Sequence, residues 1–260
     1  MRETEFFGLP QPRAMAHRGA SGAYPENTMA AFTAAHELGV RYVELDVHMT
    51  RARRVVVAHD PDLARTAGRE ALIRELSYEQ LVDADAGFGF VAPGGGQPFR
   101  DKGFKLPMLS DVLSALPDMR FVIEVKQTAP SLVGPMLEAI ERAGMRRRVL
   151  VASEHQQPLD EVRALAPDIP TNFSAREVGN FFQALISRMA GYVPPGNALQ
   201  IPIEYQKFTL VTPESVAAAH RVGVEMHVWT VNEEDEMRGL LALGVDGIIT
   251  DFPDRLLKLL

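Results

Sequence analysis

Cysteine is absent from this 260-residue chain, which removes disulfides, thiolate nucleophiles and Cys-based zinc sites from consideration. No uninterrupted apolar stretch reaches the roughly 18 residues that suggest a membrane-spanning helix. The nearest approach, GLLALGVDGIIT, is broken by Gly244, Asp246 and Gly247. Positive charge is not in excess: the net charge of -7 argues against the broad basic footprint of a nucleic-acid binder. No nucleic-acid partner is expected, and any anionic substrate must be met by a local group of cations. The start, MRETEFFGLPQPRAMAHRG, carries Glu3 and Glu5 early and has no long apolar core. A signal peptide is therefore not expected, and the default expectation is a cytoplasmic location. G-x-x-x-x-G-K-[ST], H-E-x-x-H and G-x-S-x-G are also missing, which disfavours P-loop, zincin and serine-hydrolase chemistry.

What the chain does have is apolar content of 46% against 23% charged, enough for a full core. Short apolar runs at 14–16, 42–47, 121–125, 149–152, 169–173, 198–203, 225–229 and 247–250 alternate with amphipathic stretches of helical length such as TMAAFTAAHELG and NEEDEMRGLLALG. Eight strands with intervening helices predict an α/β fold, a (β/α)8 TIM barrel spanning 1–260 as one domain. One interval breaks the rhythm, predicting a small insertion after the second strand at about 48–105. Within it, TRARR is too short for a crossover helix, so residues 55–58 are expected to fold back on 42–47 as a hairpin. A turn near Ala52 and Arg53 would set Asp46 opposite His59.

The chemistry gathers at strand ends. Successive strand residues face opposite ways, so Glu44 and Asp46 share one side of RYVELDVHMT, as Glu124 and Lys126 share one side of RFVIEVKQ. Their apolar neighbours mark both strands as buried, where carboxylates need compensation. A divalent cation held by oxygen ligands, Mg2+ or Ca2+, supplies it. His17-Arg18-Gly19 directly follows the first strand: Arg18 offers a fork of donors to a phosphate or carboxylate, and His17 can move protons near neutral pH. Trp229, the only tryptophan, ends the seventh strand at the barrel mouth and could lay its face against a substrate's carbon skeleton. His36 and His220 read as helix-face residues. His48 is expected to project away from the partners of His59, and Glu154, His155 and His227 remain candidate substrate contacts.

Taken in order, AHRGASGAYPENTMAAF, VELDVHMT, VVVAHDPDLARTAG, FVIEVK, VWTVN and VDGIITDFP resemble the glycerophosphodiester phosphodiesterase family. The resemblance runs from Ala16 to Pro253. It implies divalent-metal-dependent hydrolysis of a small-molecule glycerophosphodiester to glycerol 3-phosphate and an alcohol. It also implies His17 and His59 as the acid/base pair, Glu44, Asp46 and Glu124 as metal ligands, and Arg18 and Lys126 as phosphate contacts. Family members often carry Asp-Gly in the hairpin turn, where this chain has Arg51-Ala52-Arg53-Arg54. Two alternatives share the barrel: a lysophospholipase-D-like enzyme, whose acyl chain Phe88, Phe90 and Phe104 could line, and a non-catalytic barrel that binds glycerophosphodiesters. A metal-dependent sugar-phosphate isomerase is a third reading, which the paired HRG and HD segments disfavour.

Overall fold

A computed structural model describes residues 4–260; residues 1–3, Glu3 among them, lie outside the described residues. Seven parallel strands run side by side in the order Val149–Ala152, Arg120–Val125, Tyr42–Met49, Arg13–His17, Gly247–Thr250, Glu225–Val228, Ala198–Ile201. The circle closes through Thr171, which bridges Val151, and Asn172, which bridges Ala198. All eight predicted strands are thus present, and the chain is an α/β barrel. The fifth is reduced to those two bridges. Pro170 accepts from the Val151 N–H but has no N–H of its own to extend the ladder.

Strand alternation sorts the core into two shells. Outward residues such as Val43, Leu45, Phe121 and Ile123 pack beneath the helices, while inward residues Met15, Tyr42, Val122, Leu150, Ala198 and Ile249 fill the barrel. The helices start where the sequence supplies caps. Thr28 accepts from the Ala31 N–H at the head of Met29–Glu37, and Ser174 and Glu177 form a reciprocal box at the head of Ala175–Ile186. No helix among the described residues is long and apolar enough to cross a membrane.

The N-terminal segment closes the barrel floor. Phe6 is fully buried among the inward residues. The Tyr42 hydroxyl donates to its carbonyl at 2.6 Å, and Arg13 donates to the Phe7 carbonyl at 2.8 Å. Arg13 also reaches Glu225 at 3.0 Å. His227 belongs to this network: it is wholly buried and lies within hydrogen-bond distance of Gln200 and Glu225. That favours a structural role for His227 over the substrate contact its sequence position equally allows, because the inward face at the middle of a strand lies below the mouth.

Beyond the rim the second strand continues to Met49 and turns back as Val55–Val57, with Val47 opposite Val57 and Met49 opposite Val55. The register places Asp46 beside Ala58, whose N–H donates to the Asp46 carbonyl, not beside His59 as expected. The reason is the loop. Arg53 donates to the Thr50 carbonyl, Thr50 donates to the Arg54 carbonyl, and Arg53 takes the left-handed conformation at φ 60, the pattern of a three-residue hairpin loop. The turn centres on Ala52, one half-step earlier than anticipated. Glycine fits that conformation better. Arg53→Gly is expected to relieve about 1 kcal/mol of strain, partly offset by the greater freedom of glycine in the unfolded chain. Thermal melts should show a small rise in Tm; a fall would mean the arginine side chain stabilises the turn.

Between this hairpin and the third strand, Phe99 lies 5.1 Å from both Phe90 and Phe104 and stacks on Tyr24 of the first barrel loop at 5.7 Å, ring centre to ring centre. Phe88 lies against Gly68, where a Cβ would come within 2.4 Å of the ring, and carries the Arg100 guanidinium 4.0 Å above it. The segment's buried core is formed by residues such as Leu63, Ile73, Leu81 and Leu106, with Phe104 packed at its edge and Phe88, Phe90 and Phe99 half-buried.

Candidate active site

Asp46 and Glu124 are direct neighbours on adjacent strands, and Glu44 sits one inward position below Asp46, in register with His17. One oxygen from each of the three carboxylates lies within 4.8 Å of the others. Two cations flank them. Lys126 Nζ is 2.8 Å from Glu124 and 3.3 Å from Asp46, and Arg18 Nε is 3.3 Å from the other Asp46 oxygen. Three carboxylates against two cations leave one negative charge unbalanced in a buried place. The consequences show in the acidities. Burial, together with the charges of Asp46 and Glu124, pushes the Glu44 carboxyl well above the usual carboxylate range. Burial likewise raises Glu124, in spite of Lys126. Burial also works against the charge of Asp46, but Lys126 and Arg18 outweigh it and hold that carboxyl low.

This donor set fits a hard divalent cation. All its ligand atoms are oxygens, its net charge is negative, and Asp46 Oδ1 is buried with the Lys126 ammonium 3.3 Å away and no closer donor. A divalent ion would give that oxygen a closer partner.

The two histidines at the mouth are each held from behind. His17 Nδ1 lies 2.6 Å from Asp251 Oδ1, and its Nε2 is 3.9 Å from Glu44. His59 Nδ1 lies 2.8 Å from Asp60, whose second oxygen accepts from Arg65 at 2.6 Å. His48 was expected to face away, yet it shares the inward side with Glu44 and Asp46, since positions 44, 46 and 48 are two apart. Its Nε2 lies 3.0 Å from the His59 carbonyl. Burial lowers the His48 pKa, so the neutral ring donates that bond and fixes the backbone carrying His59.

Several site residues escape sequence reasoning. Glu26 accepts from Arg18 at 2.9 Å and from both Arg65 terminal nitrogens at 2.7 Å, so one carboxylate ties the first loop to the segment that carries His59. Asn27 donates to Asp46 at 2.9 Å from a left-handed backbone conformation. Both lie in the PENT run directly before a helix cap, a signal that was visible but reads equally as turn chemistry. Asp251 follows the eighth strand immediately. Its place at the C-terminal face is the clue that could have found it.

Trp229 follows the seventh strand, donates its backbone N–H to the Ile201 carbonyl at 3.1 Å and is 43% exposed, so it is not sealed into the core. Glu154 and His155 are exposed on the loop after the fourth strand.

The sequence profile described as the glycerophosphoryl diester phosphodiesterase family matches residues 17–255. Among curated relatives, a probable glycerophosphodiester phosphodiesterase of Mycobacterium tuberculosis is 34% identical, covering 94% of this chain and 88% of its own length. A glycerophosphodiester phosphodiesterase of Caldanaerobacter subterraneus is 30% identical, covering 94% and 96%. Among solved structures, a protein from Silicibacter pomeroyi described as a putative glycerophosphoryl diester phosphodiesterase superposes with a TM-score of 0.77 at 28% identity, covering 95% of this chain and 92% of that one. With barrel, carboxylate cluster and paired histidines in the same chain, the profile match over nearly its whole length decides the matter: this protein belongs to the glycerophosphoryl diester phosphodiesterase family.

Proposed function

We propose that the protein hydrolyses glycerophosphodiesters to glycerol 3-phosphate and an alcohol, with a divalent cation held by Glu44, Asp46 and Glu124 and with proton transfer by His17 and His59. The observation that carries this reading is the carboxylate trio, Glu44 and Asp46 buried and Glu124 half-buried, with one formal negative charge in excess, beneath two histidines each anchored through Nδ1. The trio would hold Mg2+ or Ca2+, which supplies Lewis-acid stabilisation of charge on a phosphate when bound. Arg18 and Lys126 would neutralise the nonbridging phosphate oxygens. One histidine, through Nε2, takes the proton from the glycerol 2-hydroxyl as that oxygen attacks phosphorus. The other gives a proton to the departing alcohol oxygen, and the P–O ester bond breaks. Water then opens the resulting cyclic phosphate. We read residues 1–260 as one domain with the segment near 48–105 inserted over the mouth, because Arg65 in that segment grips Glu26 and Asp60.

The test is direct. Metal-stripped protein is assayed on glycerophosphocholine, glycerophosphoethanolamine and a lysophospholipid, with calcium or magnesium restored. Glycerol 3-phosphate released only when metal is present supports the proposal; retained binding without turnover would support a binding barrel instead. The lysophospholipase-D reading is less favoured, since Phe90 and Phe104 each pack against Phe99.

Trp229 is assigned to the carbon skeleton of the substrate. As the only tryptophan, it should report binding directly, and adding glycerol 3-phosphate with metal should change the intrinsic fluorescence. Trp229→Ala should raise KM more than it lowers Tm, as its exposed side chain contributes little to the core. A silent titration under conditions where calorimetry detects binding would remove Trp229 from the substrate site.

A further inference from the structure

Asp251 is built into its place with unusual completeness. Its Oδ2 accepts from Asn232 Nδ2 at 2.7 Å, and its backbone N–H donates to Asn232 Oδ1 at 3.0 Å. Its Oδ1 accepts from Ser21 Oγ at 2.8 Å and faces His17 Nδ1 at 2.6 Å. Ser21 Oγ also lies 2.7 Å from the His17 carbonyl, so its single hydrogen is shared between the two acceptors. The Asp251 carbonyl accepts from the Gly22 N–H at 2.9 Å. At Gly22 a Cβ would come within 2.4 Å of the Phe252 ring, so the first and eighth loops approach as closely as backbone permits. Asn232 is itself fixed, since Thr250 Oγ1 donates to its Oδ1 and Arg255 donates to its carbonyl.

From this we infer that Asp251, oriented by Asn232 and Ser21, is the positioning residue for His17: it fixes the ring's rotamer and its Nδ1–H tautomer. The logic is that of donors and acceptors. The Asn232 amide and the Ser21 hydroxyl use the carboxylate as acceptor, and a carboxylate in that setting can only accept from the ring. His17 must therefore carry its hydrogen on Nδ1. Nε2 is left as the free nitrogen, on the side of the ring that faces Glu44. The VWTVN and TDFP segments acquire a task in this way: Asn232 and Asp251 come from the loops after the seventh and eighth strands and meet behind a histidine from the first. Neither residue is required to touch substrate.

This inference rests on His17 transferring protons, and the experiment separates the two ideas. Asp251→Asn preserves shape but offers an amide donor to Nδ1, which favours the opposite tautomer with hydrogen on Nε2. Its kcat should fall by about 10²–10⁴-fold, the scale of a misoriented or wrongly protonated catalytic imidazole, with KM within a few-fold of the parent. Long-range 1H–15N NMR of the neutral His17 ring should show hydrogen on Nδ1 in the parent and on Nε2 in the variant. Asn232→Ala leaves the His17–Asp251 pair intact but frees its far side, so kcat should fall about 10-fold or more with KM again little changed. It decides the question should Asp251→Asn fail to fold. The inference is overturned if kcat survives in Asp251→Asn, or in Asn232→Ala where that variant must stand in. It is also overturned if activity is lost while the tautomer stays unchanged. Full activity in His17→Ala would instead overturn the proton-transfer reading itself.

Discussion

Replacing His17 or His59 with alanine is expected to lower kcat by about 10²–10⁴-fold, the usual cost of losing a general acid or base, while substrate affinity changes little. Each ring is tethered through Nδ1 to an aspartate, so a single nitrogen remains on each for proton transfer, and no neighbouring imidazole stands free to substitute. His48, the nearest other candidate, is committed to the His59 carbonyl. Groups that act in one reaction are strongly non-additive, so the double variant should be only slightly worse than the poorer single one. Steady-state kinetics and binding calorimetry on the three variants check this, with thermal melts to verify folding. Near-native turnover in the double variant would end the assignment.

The second large effect concerns Glu44. Burial and the adjacent charges of Asp46 and Glu124 disfavour its ionised form, so in metal-free protein this carboxylate is a liability. Glu44→Gln is neutral at every pH and keeps an oxygen for the Arg18 backbone N–H, which now donates to Glu44 Oε2 at 3.1 Å. With chelator present, the variant should melt at or above the temperature of the parent. With saturating calcium or magnesium the order should reverse. A cation at 100 times its Kd stabilises the parent by about 2.7 kcal/mol, and most of that gain should vanish in the variant together with activity. A raised carboxyl pKa also means that cation binding expels protons, so affinity in the parent should weaken as pH falls. A variant retaining the full cation-induced shift would exclude Glu44 from the ligand set.

The residues that could be read from sequence are those whose meaning depends on strand alternation alone. Glu44, Asp46, Glu124 and Lys126 needed only a period of two and a buried strand to be placed together. Recognition of His59 needed a hairpin register, and that depended on a loop whose left-handed residue is arginine, a type that gives no sign of favouring the conformation. The Asp46 pairing was accordingly wrong by one residue, although His59 still reaches the mouth. Pro170 shortened the fifth strand without preventing closure, because Thr171 and Asn172 suffice to bridge its neighbours. Glu26 and Asp251 were harder to read for a different reason: the PENT run and the strand-end placement mark the positions, but each matters through a partner 39 or 234 residues away, which no local pattern encodes.

The closed floor bears on the kinetics. With Phe6, the Arg13–Glu225–His227 network and the inward side chains packing the barrel below the carboxylates, a ligand at the carboxylate layer can come and go only by the mouth. Under the proposed reading, a phosphate at the carboxylate and cation layer would lie deepest, with the alcohol half of the diester toward the rim. The alcohol would then depart first and glycerol phosphate last. An ordered sequence of this kind makes glycerol 3-phosphate a competitor of substrate, while the free alcohol is not, so turnover slows as glycerol 3-phosphate accumulates however freely the alcohol diffuses away.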